Sequence, residues 1–237
     1  MLLYYIRHGD PIYKPDGLTL LGLKQSEALA KRLEKSNIDK IYSSTSNRSI
    51  LTALPTCKLL KKEPILLDWC NEKHSYEEFT GLNSQGKRYF LMDCDNYKKI
   101  FVSKKIRDLG FDWYDDSVFS DLKCKDGINR ILNESENFLE KLGYKHNREE
   151  CTYSAINPND DRIALFAHAG FGSVFLSCLL DIPYPIFSVH FNMSHSNITV
   201  IEFNGIDNVI PRILTYSNDS HLYKEEIPTK WCNQIEL

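Results

Sequence analysis

The sequence lacks any apolar run long enough to cross a membrane. Its most apolar stretch, FGSVFLSCLL, ends before Asp181, whereas a membrane-spanning helix needs about 20 such residues. Only six residues precede Arg7, and the apolar core of a secretory signal peptide is longer than this. We therefore expect a cytoplasmic protein that has no membrane partner.

The sequence also lacks the cysteine and histidine spacings of common metal sites. Its seven cysteines are scattered, form no CxxC pair and are odd in number. This usage is typical of a reducing compartment rather than of a disulfide framework or a zinc knuckle. The seven histidines contain no HExxH pair, which is the ligand spacing of one large class of metal-dependent hydrolases. We expect neither a cofactor nor a metal ion.

Nor does the chain carry an excess of positive charge. Its 237 residues include 29 Lys and Arg against 32 Asp and Glu, so the net charge is −3, and the pI is about 6.2. A strongly basic field is the usual mark of a protein that binds nucleic acid, so nucleic acid is not an expected partner. An anionic substrate would have to be held by a local group of cations.

What the sequence does contain is an alternation of short apolar segments with amphipathic ones. This alternation predicts an α/β fold, namely a three-layer α/β/α sandwich with a mostly parallel central sheet. The predicted strands are 2–6, 38–44 and 162–167, followed by a closing pair within 197–203 and 208–217. The predicted helices lie within 18–37 (with Thr19 as N-cap), 46–60, 117–142 and 168–181.

Three segments do not follow this alternation. Residues 71–115 are irregular, aromatic and charged, and we interpret them as a helical or irregular cap insertion within a single domain of residues 1–237. Residues 147–161 are polar and are interpreted as a connector. The segment 219–221 is interpreted as a surface turn.

Polar residues of related chemistry follow three of the predicted strands. They are two guanidiniums and two imidazoles, those of Arg7, His8, Arg48 and His168. Since the carboxyl ends of parallel strands meet at one edge of a sheet, we expect these side chains to converge there. Arginine binds oxyanions through its planar fork, and histidine can carry a phosphoryl group covalently. The alternative for each residue taken alone is a structural role at a strand end.

Four segments occur in an order that is specific when they are taken together: IRHGD, LTLLGLKQSEALAKRL, IYSSTSNRSILTA and LFAHAGFG. They resemble the histidine phosphatase superfamily, the phosphoglycerate-mutase-like proteins. The resemblance extends from residue 2 to about residue 203, with a poor match over 71–115. It implies a metal-independent phosphatase that hydrolyses a small phosphorylated substrate, a phosphate monoester, through a covalent phosphohistidine.

The resemblance also implies roles for individual residues. His8 would be the nucleophile, and Arg7, Arg48 and His168 would bind the phosphoryl oxygens. A carboxylic acid that protonates the leaving oxygen is expected after the second helix. We assign this role to Glu72 and expect burial to raise its pKa. The alternatives for this role are Asp68, Glu77 and Glu78.

The sequence departs from the mutase pattern directly after the RHG triplet, where it reads Asp10-Pro11-Ile12-Tyr13. This departure weakens the mutase alternative, in which the phosphoryl group returns to a substrate. A second alternative is a catalytically silent module that binds a phosphorylated ligand. A third is a metal-dependent hydrolase with the ligands His8, Glu72, His168 and His195. In the phosphatase interpretation, His195 has a supporting or structural role behind the site, and His74 is exposed at the surface. The sequence leaves the substrate and the oligomeric state open.

Overall fold

The computed structural model describes residues 1–231, and the chain forms twelve strands and nine α-helices within that range. The strands are β1 (Leu2–Arg7), β2 (Pro11–Tyr13), β3 (Asp16–Leu18), β4 (Lys40–Ser44), β5 (Ile65–Leu67), β6 (Thr80–Leu82), β7 (Arg88–Phe90), β8 (Tyr144–Asn147), β9 (Thr152–Ala155), β10 (Arg162–Ala167), β11 (Ile198–Glu202) and β12 (Arg212–Asn218). The helices are α1 (Leu20–Leu33), α2 (Asn47–Leu60), α3 (Glu72–Glu78), α4 (Asp95–Phe101), α5 (Lys104–Leu109), α6 (Cys124–Lys141), α7 (Ala169–Leu179), α8 (Tyr184–His190) and α9 (Ser220–Lys224). None of these helices is long and apolar enough to cross a membrane.

A mixed six-stranded sheet in the order β12-β11-β1-β10-β4-β5 forms the centre of the molecule. The strands β1, β10, β4 and β5 are parallel, whereas β11 and β12 are antiparallel to their neighbours. The predicted α/β fold with a mostly parallel sheet is confirmed, as is the closing strand pair. Arg7 lies opposite Ala167 in the ladder between β1 and β10, so these two strands end at the same level.

Successive residues of β1 point into two cores, one on each face of the sheet. Leu3 and Tyr5 pack into a core that includes residues of α6 and α7. Tyr4 and Ile6 pack into a second core, together with residues of α1 and α2. Each apolar side chain that is fully buried in this way contributes roughly 1.5–3 kcal/mol to the free energy of folding. Helices therefore cover both faces of the sheet, and the predicted three layers are confirmed.

The helix predicted at 117–142 is wrong at its N-terminal end, because α6 begins at Cys124. Ser117–Phe119 forms a separate 3₁₀ turn. The Asp116 side chain caps this turn by accepting a hydrogen bond from the Val118 backbone N–H at 3.1 Å. A side chain that bonds the backbone in this way offers the chain an alternative to a continuous helix.

The polar connector predicted at 147–161 is wrong in part, because the hairpin of β8 and β9 occupies much of it. Within 147–161 the one large side chain that faces inward is that of Tyr153. It is buried and donates a hydrogen bond from its hydroxyl to the Leu179 carbonyl at 3.1 Å. A strand that buries a single aromatic side chain in a polar segment leaves too weak a periodic pattern to be recognised.

The surface turn predicted at 219–221 is also wrong, because His221 lies in α9 and is buried. Its Nε2 lies 3.1 Å from the Ser196 hydroxyl oxygen, and its Nδ1 lies 3.5 Å from the Arg32 guanidinium. A histidine is easily buried where both ring nitrogens find polar neighbours. These neighbours come from distant parts of the chain, so the sequence around His221 does not indicate that it is buried.

Residues 71–115 form α3, the hairpin of β6 and β7, α4, α5 and short 3₁₀ turns. Their apolar centre is a cluster of aromatic side chains around Trp113. The Trp113 ring lies 5.5 Å from that of Phe101 and 4.9 Å from that of Phe119, which belongs to the 3₁₀ turn that follows. The Trp113 ring also lies 5.6 Å from that of Tyr184 at the start of α8. The segment thus packs on the rest of the molecule through buried aromatic rings.

Candidate active site

A cavity of about 1440 Å³ opens beyond the carboxyl ends of β1, β4 and β10. Four of the five residues singled out from the sequence line it, namely Arg7, His8, Arg48 and Glu72. The fifth, His168, is fully buried, and its Nδ1 lies 3.5 Å from Glu72 Oε2. The structure therefore brings all five together at one edge of the sheet.

The loop that carries His8 is held by the segment LTLLGLKQ. Gly9 and Gly22 approach so closely that a Cβ on Gly22 would lie 2.3 Å from the Asp10 carbonyl oxygen. The Asp10 backbone N–H donates to the Gln25 side-chain oxygen at 2.8 Å. The Thr19 hydroxyl, which caps α1 as predicted, donates to the Asp10 carboxylate at 2.7 Å. Thr19, Gly22 and Gln25 of this segment thus fix the loop after β1.

The imidazole of His8 is held in a single tautomer. Its Nδ1 lies 2.7 Å from the Gly9 carbonyl oxygen, which can only accept a hydrogen bond, so Nδ1 carries the proton and Nε2 keeps its lone pair. The backbone of His8 donates to Ala167 O at 3.0 Å and accepts from Ser196 N at 3.1 Å. Burial, followed by the nearby His168 and Arg7, lowers the pKa of His8 well below its usual value. The ring is therefore neutral at neutral pH.

His168 lies against the serine-rich end of β4. Its Nε2 is 2.9 Å from the Ser44 hydroxyl and 3.3 Å from the Ser46 hydroxyl, while Nδ1 has no hydrogen-bond partner among residues 1–231. The Tyr5 hydroxyl donates to the His168 carbonyl at 2.5 Å. Burial lowers the pKa of His168 to about 4, although Glu72 opposes this shift. The rings of His168 and His8 are 5.2 Å apart and nearly perpendicular.

The two arginines are anchored differently. Arg7 is 1% exposed and donates to the Met193 carbonyl oxygen. Arg48 lies in the first turn of α2, where its guanidinium contacts Asp16 at 2.7 Å and Glu72 at 3.2 Å. The fork of Arg48 is thus already oriented by two carboxylates before any ligand is bound.

Glu72 is the first residue of α3, and its two oxygens have different partners. Oε2 contacts Arg48, whereas Oε1 accepts a hydrogen bond from the Gly170 backbone N–H, at the start of α7, at 2.8 Å. Burial alone favours the protonated acid. The cationic groups around it, His168 when protonated and then Arg48 and Arg7, outweigh burial, and the pKa of Glu72 lies below its usual value. The expectation that its pKa is raised is therefore wrong.

The other three carboxylates considered for the acid lie elsewhere. Asp68 accepts a hydrogen bond from Thr45 at 2.8 Å and contacts His74, which is half-buried, at 3.0 Å. Glu78 forms a bidentate pair with a guanidinium of α6 at 2.6 and 2.7 Å. Glu77 is exposed on the cavity wall. Among these four, Glu72 alone contacts both Arg48 and His168.

Two further residues lie beside the site: His195, which the sequence analysis places behind it, and Asp93, which the sequence analysis misses. His195 is buried with its ring 5.9 Å from that of His8, and its Nδ1 lies 3.4 Å from Asp10. Burial and then Arg7 lower the pKa of His195 to about 4. Asp93 lines the opposite wall and is exposed. His195 precedes a predicted strand, which is a usable signal, whereas nothing local marks Asp93.

Three of the four ligands considered for a metal-dependent hydrolase lie together. His8, Glu72 and His168 each offer a ligand atom, and these atoms lie within 4.8 Å of one another. Imidazole nitrogens and a carboxylate oxygen are donors that Zn²⁺ accepts. His195 does not belong to this group among the residues that the structure describes. The donor types fit a metal ion, although two guanidiniums stand beside them.

Comparison with known proteins agrees with the order of the motifs. Residues 3–90 match the family model of the histidine phosphatase superfamily, branch 1. Over 153 residues the chain is 26% identical to the curated protein "Putative phosphoserine phosphatase 2" of Hydrogenobacter thermophilus. The alignment covers 61% of this chain and 68% of that protein. The RHG triplet, with His8, lies within residues 3–90, which match the family model.

Solved structures of two phosphatases share the fold. Phosphoserine phosphatase of Entamoeba histolytica in complex with 3-phosphoglyceric acid superposes with a TM-score of 0.60 at 20% identity, over 93% of this chain and 98% of that one. The alpha-ribazole phosphatase of Shigella flexneri gives a TM-score of 0.59 at 15% identity, over 92% and 97% of the two chains. At these identities the likeness establishes the fold alone.

Proposed function

We propose that this chain is a phosphatase that hydrolyses a phosphate monoester through a covalent phosphohistidine on His8. The observation that carries the proposal is the hydrogen bond between His8 Nδ1 and the Gly9 carbonyl, at 2.7 Å. It leaves the Nε2 lone pair for in-line attack on phosphorus. In this step a bond forms between Nε2 and phosphorus while the bond from phosphorus to the ester oxygen breaks.

The cationic groups around His8 supply the electrostatic part of the proposed reaction. Arg7 and Arg48 would bind the phosphoryl oxygens as planar forks, and His168 would donate a hydrogen bond from its Nδ1–H to a third oxygen. Phosphoryl transfer depends mainly on positioning and on such stabilisation of spread negative charge. The buried setting strengthens these interactions relative to water.

We assign Glu72 the role of general acid, and its low pKa in the empty site is compatible with this role. A bound phosphoryl group brings negative charge next to Glu72 and offsets the guanidiniums that hold its pKa down. The pKa of Glu72 therefore rises when substrate binds, so that it can protonate the departing alkoxide. The resulting carboxylate then takes a proton from the water that attacks phosphorus, and the electron pair of the broken N–P bond returns to His8.

The residues far from His8 bear on the substrate. The cavity is much larger than a phosphoryl group, and Arg88, Asp93 and Lys98 from the segment 71–115 line it. We propose that this segment acts as a cap of a single domain and selects a small phosphorylated substrate. The names of the relatives suggest phosphoserine, 3-phosphoglycerate and α-ribazole phosphate as the first compounds to assay.

The proposed reaction uses no metal ion and takes place in a reducing compartment. Every step above is assigned to a side chain of this chain, so activity should persist in EDTA. Six cysteines in the described residues are all free thiols, which supports a cytoplasmic location.

Trapping of the phosphoenzyme by an alkaline detergent quench tests the proposal. Wild-type protein and His8→Ala are mixed with an aryl phosphate in the presence of EDTA, quenched and analysed for phosphohistidine. We expect an acid-labile, base-stable adduct on the wild type and neither adduct nor turnover with His8→Ala. Turnover that survives in His8→Ala would refute His8 as the nucleophile, and a wild type inactive on every ester above would favour a binding module.

A further inference from the structure

The atoms that surround the proposed nucleophile form a three-donor group as well as a phosphoryl site. Glu72 Oε2 and His168 Nδ1 are 3.5 Å apart, which is close to the spacing of about 3.3 Å between two ligands of a tetrahedral zinc ion. The ligand atom of His8 lies within 4.8 Å of both. We infer that these three residues form an inhibitory binding site for a transition-metal cation such as Zn²⁺.

The hydrogen bonds of the two imidazoles leave suitable lone pairs for such an ion. His8 donates from Nδ1 to the Gly9 carbonyl, and metal-bound histidines commonly donate their other N–H to a carbonyl or carboxylate in this way. His168 Nε2 lies 2.9 Å from the Ser44 hydroxyl, which can either accept or donate. His168 can therefore present a proton at Nδ1 to an oxyanion, or a lone pair at Nδ1 to a cation.

The charges around the three donors do not exclude a cation. Arg7 and Arg48 are positive, but Glu72 and Asp16 are negative, and Arg48 contacts both of these carboxylates, at 3.2 and 2.7 Å. The charges of these four groups thus cancel. A divalent ion at Glu72 would replace one of the two contacts of Arg48 and leave the contact with Asp16 in place.

A metal ion in this position would coordinate His8 Nε2 and remove the lone pair that attacks phosphorus. Three protein ligands leave a fourth position open for water or an anion. The inhibitory consequence rests on the proposed phosphatase function, whereas the binding of the metal does not. Direct binding and inhibition can therefore be measured separately.

Binding is tested with Co²⁺, which reports its geometry by absorption, and with Zn²⁺ as the competitor. Full-length wild-type protein is stripped with EDTA, freed of chelator and titrated. We expect one Co²⁺ per chain with the intense visible bands of a tetrahedral site, displaced by Zn²⁺. Glu72→Gln and His168→Gln should each weaken binding roughly tenfold or more, because each removes one of three ligands.

Two variants serve as matched controls. Cys151→Ser removes the one free thiol that is exposed among residues 1–231, and His74→Gln removes a histidine that contacts a carboxylate outside the cavity. Both should bind Co²⁺ like the wild type. No binding by the wild type, or binding unchanged in both site variants or lost in either control, would overturn the inference.

X-ray absorption of the Zn²⁺-loaded wild type decides the question even if the site variants do not fold. Nitrogen and oxygen ligands at about 2.0–2.2 Å support the inference, and sulfur at about 2.3 Å refutes it. Metal binding without turnover in any assay would leave the inference intact and count against the phosphatase. A protein that binds no Zn²⁺ and whose turnover Zn²⁺ does not inhibit would overturn the metal site and leave the phosphatase proposal intact.

Discussion

The two walls of the cavity hold their side chains in different ways. The sheet wall comprises Arg7, His8 and Arg48, with His168 buried behind them. Buried contacts fix this wall: His8, for example, forms hydrogen bonds through its backbone N–H, its carbonyl and its ring. The cap wall, which comprises Arg88, Phe90, Asp93 and Lys98, is more exposed, and the Arg88 guanidinium has a single partner residue, Thr80, in the described chain. We infer that chemistry belongs to the rigid wall and substrate choice to the adaptable one.

Glu72 lies where the two walls meet, and its substitution should have the largest effect. In Glu72→Gln the phosphorylation step should slow by roughly 10²–10⁴-fold with an alkyl phosphate such as phosphoserine. With p-nitrophenyl phosphate it should slow much less, because nitrophenolate leaves without a proton. The measurement is the pre-steady-state rate of phosphoenzyme formation.

Glu77→Gln is the matched control for this comparison, because Glu77 also lines the cavity but is exposed. It should leave the phosphorylation rates with both esters close to wild type. An equal loss with the two esters in Glu72→Gln would contradict a proton transfer from Glu72 and indicate a role in positioning.

The buried histidines of the sheet side should make stability depend on pH. His168, His195 and His221 have pKa values lowered to about 4, mainly by burial. Between pH 6.5 and 4 the unfolded chain binds protons at these sites and the folded chain does not, so the free energy of unfolding falls as the pH falls. From pH 7 to pH 5 the loss should be about 2 kcal/mol for each histidine.

Urea unfolding at pH 7 and pH 5 measures this loss. His221→Gln, away from the cavity lining, should reduce the difference between the two pH values by about one histidine's share. A difference that is the same in His221→Gln and wild type would refute the assignment of a neutral His221 to the folded state.

The sheet wall could be anticipated from the sequence because its residues follow directly from local patterns. An apolar strand that ends in a polar triplet, together with Thr19 as an N-cap, places His8 without knowledge of distant contacts. Asp16 could not be found in this way, since its pairing with Arg48 across 32 residues depends on the hairpin of β2 and β3. The direction of the Glu72 pKa was missed for the same reason, because the cations that decide it come from three separate elements.

The close contact under the RHG loop offers a smaller test of the rigidity of the sheet wall. Gly22→Ala would place a Cβ 2.3 Å from the Asp10 carbonyl oxygen, and overpacking of this kind costs about 1–3 kcal/mol. Gly17→Ala is the control, because its Cβ would meet no atom closer than 3.8 Å. Thermal unfolding should show a lower Tm for Gly22→Ala only. Equal Tm values for Gly22→Ala and wild type would mean that the loop moves to accommodate the added Cβ at no cost in stability.

The smallest expected effect belongs to the cap wall, and it should appear in KM rather than in kcat. Arg88→Ala should raise KM about tenfold for phosphoserine or 3-phosphoglycerate, because a hydrogen bond between charged groups contributes about 1.5–3 kcal/mol. The KM for p-nitrophenyl phosphate, which has no second anionic group, should change little. Lys87→Ala, at the exposed neighbour outside the cavity lining, should leave both KM values unchanged. A fall in kcat with all three esters would instead mean that Arg88 takes part in the reaction. It would contradict the inference that the sheet wall performs the reaction and the cap wall selects the substrate.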